Sequence, residues 1–239
     1  MNIDEFENTI KKYLKELNIE LSEKQIKQFY DYMNILIEWN KVMNLTAITD
    51  PKDIIIKHFI DSLTVLENID KNSCIIDVGT GAGFPGIPIK IAYPTTNVVL
   101  LDSLNKRITF LDEVINKLEL KDIKAVHGRA EDIGQDNNYR EKYDIAIARA
   151  VASLNVLIEY LMPFIKIGGK CICMKSSNID VELNSSKNAI KILNAELETN
   201  RSFIIPDTDI RRSIIEIKKK KAISNIYPRK AGTPSKNPL

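Results

Sequence analysis

Over residues 1–70 the apolar positions recur at helical spacing. Ile3, Phe6, Ile10, Tyr13, Leu14 and Leu17 form one stripe, and Ile26, Phe29, Met33, Leu36 and Ile37 form a second. Ser22 followed by Gln25 is a capping-box pattern and opens the second helix. Asp50 followed by Pro51 pairs an N-cap residue with proline at the first helical position. It opens a third helix carrying Ile54, Ile55, His58, Phe59, Ser62 and Leu63.

From residue 74 the period changes. Short apolar runs at 74–78, 97–102, 123–127, 143–148, 170–174, 202–205 and 212–217 read as strands, and helical stretches at 86–92, 104–118, 154–165 and 179–197 alternate with them. Alternation of this kind predicts parallel pairing with right-handed crossovers, a doubly wound, mostly parallel α/β sheet of seven strands. The last two strands have no room for a helix between them, so an antiparallel last strand is expected. Gly168-Gly169 is expected to turn the chain into the fifth strand. The predicted organisation is a helical extension over 1–70, a Rossmann-like domain over 71–221 and a basic tail over 222–239.

In such a sheet the ligand sits beyond the carboxyl ends of the strands. Strand one runs into Asp77-Val78-Gly79-Thr80-Gly81-Ala82-Gly83-Phe84-Pro85-Gly86, and Gly81, Gly83 and Gly86 satisfy GxGxxG. Asp77 lies inside the strand, where a carboxylate would repel a pyrophosphate and favour a cation. Its alternative role is to accept loop amides. Asp102-Ser103 follows strand two, placed for ribose hydroxyls, with helix capping as the other reading of Ser103. An acid before the glycines and another after strand two together resemble the S-adenosylmethionine site of class I methyltransferases. In that fold Gly128-Arg129-Ala130-Glu131-Asp132 frames the adenine, and Arg149 ends strand four where the methyl group is transferred. That loop lacks the Asn/Asp-Pro-Pro-aromatic run of enzymes methylating exocyclic amines, and no Cys stands on these loops for cytosine C5 chemistry. Guanine N7 has an in-plane lone pair and no proton, so its methylation needs neither part.

The segments Asn44-Leu45-Thr46-Ala47, Lys57-His58-Phe59-Ile60-Asp61-Ser62, IDVGTGAGFPGIP at 76–88, LDSLNKR at 101–107 and IARAVASL at 147–154 resemble the ribosomal RNA small subunit methyltransferase G family, also called glucose-inhibited division protein B. The resemblance runs from about residue 20 to the C-terminus. It implies transfer of a methyl group from S-adenosyl-L-methionine to a guanine N7 of 16S rRNA, without a general base or covalent intermediate. The expected cofactor-binding residues are Asp77, Gly79, Gly81, Gly83, Phe84, Asp102, Ser103, Ala130, Glu131 and Arg149. Arg149 is the expected catalytic residue, and Lys175, Arg229 and Lys230 the expected substrate contacts, with further substrate-side roles for Asn44, Thr46 and His58. Ala82 departs from the proline that some members carry there.

Composition adds little until it is resolved by segment. The formal net charge of the 239 residues is only +2. Residues 1–70 carry −5, residues 71–199 carry 0 and residues 200–239 carry +7; residues 218–239 hold seven cations and no acid. A basic, proline-punctuated end suits a flexible tail on RNA phosphates, so 16S rRNA or the 30S particle is the expected partner. A hydrophobic content of 44% supports a core. The N-terminus lacks the features of a signal peptide, and no apolar run reaches the 18 or so residues of a membrane span. Cys74, Cys171 and Cys173 read as free thiols, and His58 and His127 stand apart, so no metal site is expected. A cytoplasmic, monomeric protein is the expectation. Two other classes stay open: a nicotinamide-dependent oxidoreductase, on the GxGxxG overlap, and a non-catalytic RNA-binding module.

Overall fold

A computed structural model describes residues 1–176 and 179–239. Helices α1 (Ile3–Glu16) and α2 (Glu23–Met43) open on capping boxes, Asn2 with Glu5 and Ser22 with Gln25. Asp50 caps α3 (Pro51–Ile54), accepting from the Lys52 and Asp53 amides. The third expected helix is one continuous rod, but its middle, Ile55–Ile60, is wound as a π-helix before α4 (Asp61–Leu63). A π segment re-aims side chains relative to a regular helix and recurs at functional sites. Here it carries Lys57 and His58.

Strands β1 (Cys74–Val78), β2 (Asn97–Asp102), β3 (Ile123–His127), β4 (Tyr143–Arg149), β5 (Ile165–Ser176), β6 (Ala195–Ile204) and β7 (Arg211–Lys219) form one sheet in the order β3-β2-β1-β4-β5-β7-β6. The first five run parallel, and β7 is antiparallel to both neighbours, as expected. Between the strands lie α5 (Gly86–Ala92), α6 (Asn105–Lys117), α7 (Ala130–Ile133), α8 (Leu154–Leu161) and α9 (Ile179–Ile192), and α10 (Thr233–Lys236) ends the chain.

Three boundaries differ from the sequence reading. The helix expected over 154–165 stops at Leu161, because Pro163 sits in a tight turn (Met162–Phe164) and Ile165 already pairs with Tyr143. Gly168-Gly169 lies inside β5 rather than before it, at an irregularity in the β4–β5 register. A side chain at Gly169 would meet the Asp144 carbonyl, 2.5 Å from its Cβ. The helix expected over 179–197 ends five residues early. Asn194 turns the chain at φ 50°, and Ala195 begins a β6 of 10 residues that starts well before the expected 202–205.

Alternating strand residues face two cores. Ile75, Leu100, Ile145, Ile147, Ile172 and Ile214 point to a core shared with α1, α2, the 51–63 rod, α5 and α6. Ile76, Leu101, Ala146, Cys171, Cys173 and Ile217 point to one built with α8 and α9. The helical extension is therefore half of one core, not an appendage. Gln25 donates to the Ile91 and Ala92 carbonyls (2.7 and 3.0 Å), and Gln28 donates to that of Leu118 (2.8 Å), so α2 satisfies the carboxyl ends of α5 and α6. Trp39 packs edge-on against Phe110 across the same seam (5.8 Å).

The tail is docked rather than free. Arg229 forms a bidentate pair with the fully buried Glu159 (2.9 and 2.6 Å). Arg140 and Gln135 donate to the carbonyls of Tyr227 and Pro228 (2.8 and 2.9 Å). Ile223, Pro228 and Pro234 are buried. The expectation of a flexible phosphate-binding tail is thus corrected, and Arg229 is committed to a buried carboxylate instead of facing RNA. Lys230 remains exposed. No described helix is long and apolar enough to cross a membrane.

Candidate active site

At the carboxyl ends of β1, β2, β4 and β5 lies an open cleft of about 980 Å³. It is lined by the 79–84 loop, Asp102, Ser103, Arg107, the 149–153 loop and Lys175, and by Thr46, Lys57, His58 and Asp61 from the extension. A smaller hollow of about 260 Å³ adjoins it, between Gly79, Asp102, Ser103, Gly128, Ala130, Glu131, Tyr160 and Ser235. The side chain of Val151 crosses from the 149–153 loop to within 2.9 Å of where a Gly79 Cβ would stand, so only glycine lets the two loops meet there. The two hollows share Gly79, Asp102, Ser103, Val151 and Ala152.

The glycines divide the work. Gly81 (φ 62°) has open space where a Cβ would be, and it faces the cleft. Gly83 (φ 96°) faces away, packed under Ile87 and the Tyr32 hydroxyl. A side chain there would have no room, so Gly83 serves the packing of the loop on α2 and α5. Tyr32 donates to the Ala82 carbonyl and so ties α2 to this loop.

Asp77 is fully buried beneath the loop. Its Oδ2 accepts from Thr80 Oγ1 (2.6 Å) and the Gly86 amide (2.8 Å), while Oδ1 has no hydrogen-bond partner. Burial raises its carboxyl to about pH 6 in spite of the Thr80 and Gly86 bonds. The loop-bracing reading of Asp77 thus holds for one oxygen, and the second is an orphan that a cationic hydrogen-bond donor would satisfy. Asp102 accepts from the Gly81 amide (2.9 Å), the Leu104 amide (2.9 Å) and Arg107 (3.1 Å). It braces both the loop and the start of α6. Ser103 makes no cap there, and lines both hollows instead.

Arg149, the expected catalytic residue, has its guanidinium drawn to the extension. Nη1 pairs with Asp61 Oδ2 (2.9 Å) and Nη2 donates to His58 Nδ1 (3.1 Å). The group lies over the Phe84 ring (5.0 Å), on which His58 also stacks at 4.3 Å and 7°. Asp61 Oδ1 accepts a second guanidinium, from Arg212 Nε (2.9 Å). Arg149 still borders the cleft, its charge balanced by the Asp61 carboxylate. Burial, and then the positive charge of Arg149, push the His58 imidazole down to about pH 3, so it is neutral.

The remaining expected residues are also engaged. Lys175 borders the cleft but is mostly buried, and its ammonium is paired with Glu182 (2.7 Å). Glu131 accepts from the Gly232 amide (2.9 Å) and from Arg129 (3.3 Å). Burial opposes ionisation of Glu131, but these bonds outweigh it and hold the carboxyl below its usual range. Ala130 begins α7, in the first turn of a helix whose amides lack intrahelical acceptors, and borders the smaller hollow. What sequence reading missed is the Asp61–Arg212 pair, since nothing in the spacing of 61 and 212 signals contact.

The chain is 53% identical to a ribosomal RNA small subunit methyltransferase G of Acetivibrio thermocellus, with 99% of this chain and 100% of the relative aligned. It is 51% identical to one of Alkaliphilus oremlandii, with 98% and 99% aligned. Among solved structures it resembles a SAM dependent methyltransferase from Aquifex aeolicus (TM-score 0.54, 16% identity, 73% of this chain and 96% of that one), a likeness of fold. Residues 25–214 match the family described as GidB, rRNA small subunit methyltransferase G. On that match, and on the two relatives aligned over nearly their whole length, the chain belongs to the rRNA small subunit methyltransferase G family.

Proposed function

We propose that this protein transfers a methyl group from S-adenosyl-L-methionine to the N7 of a guanine in 16S rRNA, by direct displacement. Its family supports the coarser activity, S-adenosylmethionine-dependent methylation of small-subunit rRNA. The choice of N7 and the absence of a general base are this proposal's own. One observation carries them: every acid and base lining the large cleft is already paired. Lys57 is held by Asp53, His58 by Arg149 and Thr46, Asp61 by Arg149 and Arg212, Asp102 by Arg107, and Lys175 by Glu182. No described lining group is free to take a proton; the one unpaired carboxylate oxygen nearby, Asp77 Oδ1, lies buried beneath the loop, and N7 gives none up.

The residues fit the cofactor. The orphaned Oδ1 of Asp77 suits its ammonium group, Gly81 lets a ligand approach the backbone, and Asp102 and Ser103, which border both hollows, suit ribose hydroxyls. Ala130, with Glu131 beside it, borders the hollow suited to adenine. Bound there, the cofactor supplies an electrophilic methyl on a sulfonium. The chain's own contribution is orientation and exclusion of water, which can account for several kcal/mol of barrier, on the order of 7–11 for ideal alignment. Phe84, stacked with both His58 and Tyr32, gives the cleft an aromatic wall. An N7 inside an A-form helix lies in a groove that side chains cannot enter, so the target is in a loop or is flipped out.

The test uses 30S particles from a strain lacking this protein, incubated with the enzyme and methyl-labelled cofactor. Label recovered as 7-methylguanine in 16S rRNA is the expected result. Label on an exocyclic amine, or none on RNA, refutes the proposal.

A further inference from the structure

A chain of hydrogen bonds ends on Thr46, at the mouth of the cleft. A guanidinium can only donate, so Arg149 Nη2 forces His58 Nδ1 to be the acceptor (3.1 Å). The neutral ring then carries its proton on Nε2, which lies 2.9 Å from Thr46 Oγ1 and donates to it. The Ile48 amide donates to the same oxygen at 3.0 Å. Both lone pairs of the hydroxyl are thereby taken, and its proton has no acceptor among the described residues. Asn40 fixes the residue itself, with Oδ1 accepting from the Thr46 amide and Nδ2 donating to the Thr46 carbonyl, both at 2.9 Å. Thr46 borders the cleft together with Leu45 and Ile48. A serine or threonine hydroxyl ordinarily adapts to donors and acceptors alike; this one is restricted to donation.

We infer that the Thr46 hydroxyl is a specificity-determining donor that engages O6 of the target purine and selects guanine over adenine. The inference rests on the proposed guanine N7 reading. At position 6 guanine offers an acceptor and adenine an amino donor, so a hydroxyl without a free lone pair accommodates the first and opposes the second. A single donor on O6 also leaves the N7 lone pair open to the methyl group, which a fork spanning O6 and N7 would cover.

The experiment places 2-aminopurine, which keeps N7 and the 2-amino group but has only hydrogen at position 6, at the methylated position of reconstituted 30S particles. The wild-type enzyme is expected to methylate guanine at least about tenfold more efficiently, in kcat/KM, than 2-aminopurine. Thr46→Val should lose roughly 10- to 100-fold on guanine yet match the wild type on 2-aminopurine, and Thr46→Ser should keep the guanine advantage. Cofactor affinity, measured by calorimetry, should be the same in all three proteins. An equal loss on both bases would show that the hydroxyl only braces His58 and Ile48, and would overturn the inference. So would a wild-type enzyme indifferent to the two bases, whether or not the valine variant folds. Absence of 7-methylguanine from unmodified particles would instead refute the underlying reading.

Discussion

Replacing Arg229 by alanine should unlock the C-terminal segment. Glu159 is fully buried on α8, and Arg229 supplies three of its four contacts through the side chain, at 2.9, 3.2 and 2.6 Å. The fourth, from the Arg229 amide at 2.9 Å, survives the substitution. Removing one partner of a buried pair costs about 3–5 kcal/mol, because the other charge is left without compensation. The Arg229 side chain keeps 21% of its surface in solvent, so water reaches this pair and the low end, about 3 kcal/mol, is the appropriate figure. For a chain of this length that lowers the melting temperature by about 6–12 °C. Urea titration followed by circular dichroism measures it. Adding Glu159→Gln to Arg229→Ala should recover part of the loss, since the stranded charge is gone. A loss below about 1 kcal/mol, the scale of an exposed pair, would mean that the tail is not held by this contact and would restore Arg229 as a candidate for RNA.

Four further outcomes are expected. On the proposed role of Asp77, whose carboxyl burial raises to about 6, the ionised form holds the cofactor's ammonium, so cofactor affinity should climb with pH up to about 6 and then level. At pH 5 it should be roughly tenfold weaker than at pH 7.5; equal affinities by calorimetry, or an Asp77→Asn variant with the same pH profile, would remove Asp77 from cofactor binding. The same raised value has a stability consequence of opposite sense. The fold holds the proton more tightly than the unfolded chain does, so this residue's contribution to stability declines as pH rises from about 4 to about 6. Asp61→Asn strips the anion from both Arg149 and Arg212 and should destabilise the protein by about 3 kcal/mol in urea titrations; an unchanged midpoint would contradict the pairing. Of the seven cations in residues 218–239, Lys218, Lys219, Lys220 and Arg229 are paired. That leaves Lys221, Lys230 and Lys236 without an ion pair among the described residues, and their joint replacement should flatten the plot of log K against log salt for single-stranded RNA by about 2.

Much of the architecture was legible because it rests on periodicity. Alternation of 2 and 3.6 located the strands and crossover helices, and the short link before residue 212 implied the antiparallel closure. The boundaries that moved were set by single residues whose influence is local but whose outcome is tertiary: Pro163 ending α8, and Asn194 in a left-handed turn that hands residues 195–197 to β6. The cleft was legible as a set of loops. The direction of its side chains was not. Arg149 was placed correctly at the end of β4, yet its charge is claimed by Asp61, a contact spanning 88 residues. Segment charges likewise pointed to a free basic tail, since nothing in 218–239 announces that Glu159, the one charged residue of α8, waits for Arg229.

The chain's single indole has a use of its own. Trp39 belongs to the helical extension and its ring partner Phe110 to α6 of the sheet domain. Its emission therefore reports the seam between the two parts without any label. If the shared core makes them one cooperative unit, the fluorescence and far-ultraviolet unfolding curves will superimpose, and an early fluorescence transition would reveal the extension peeling away first. The fluorophore is native, so the same signal can follow the order of assembly during refolding.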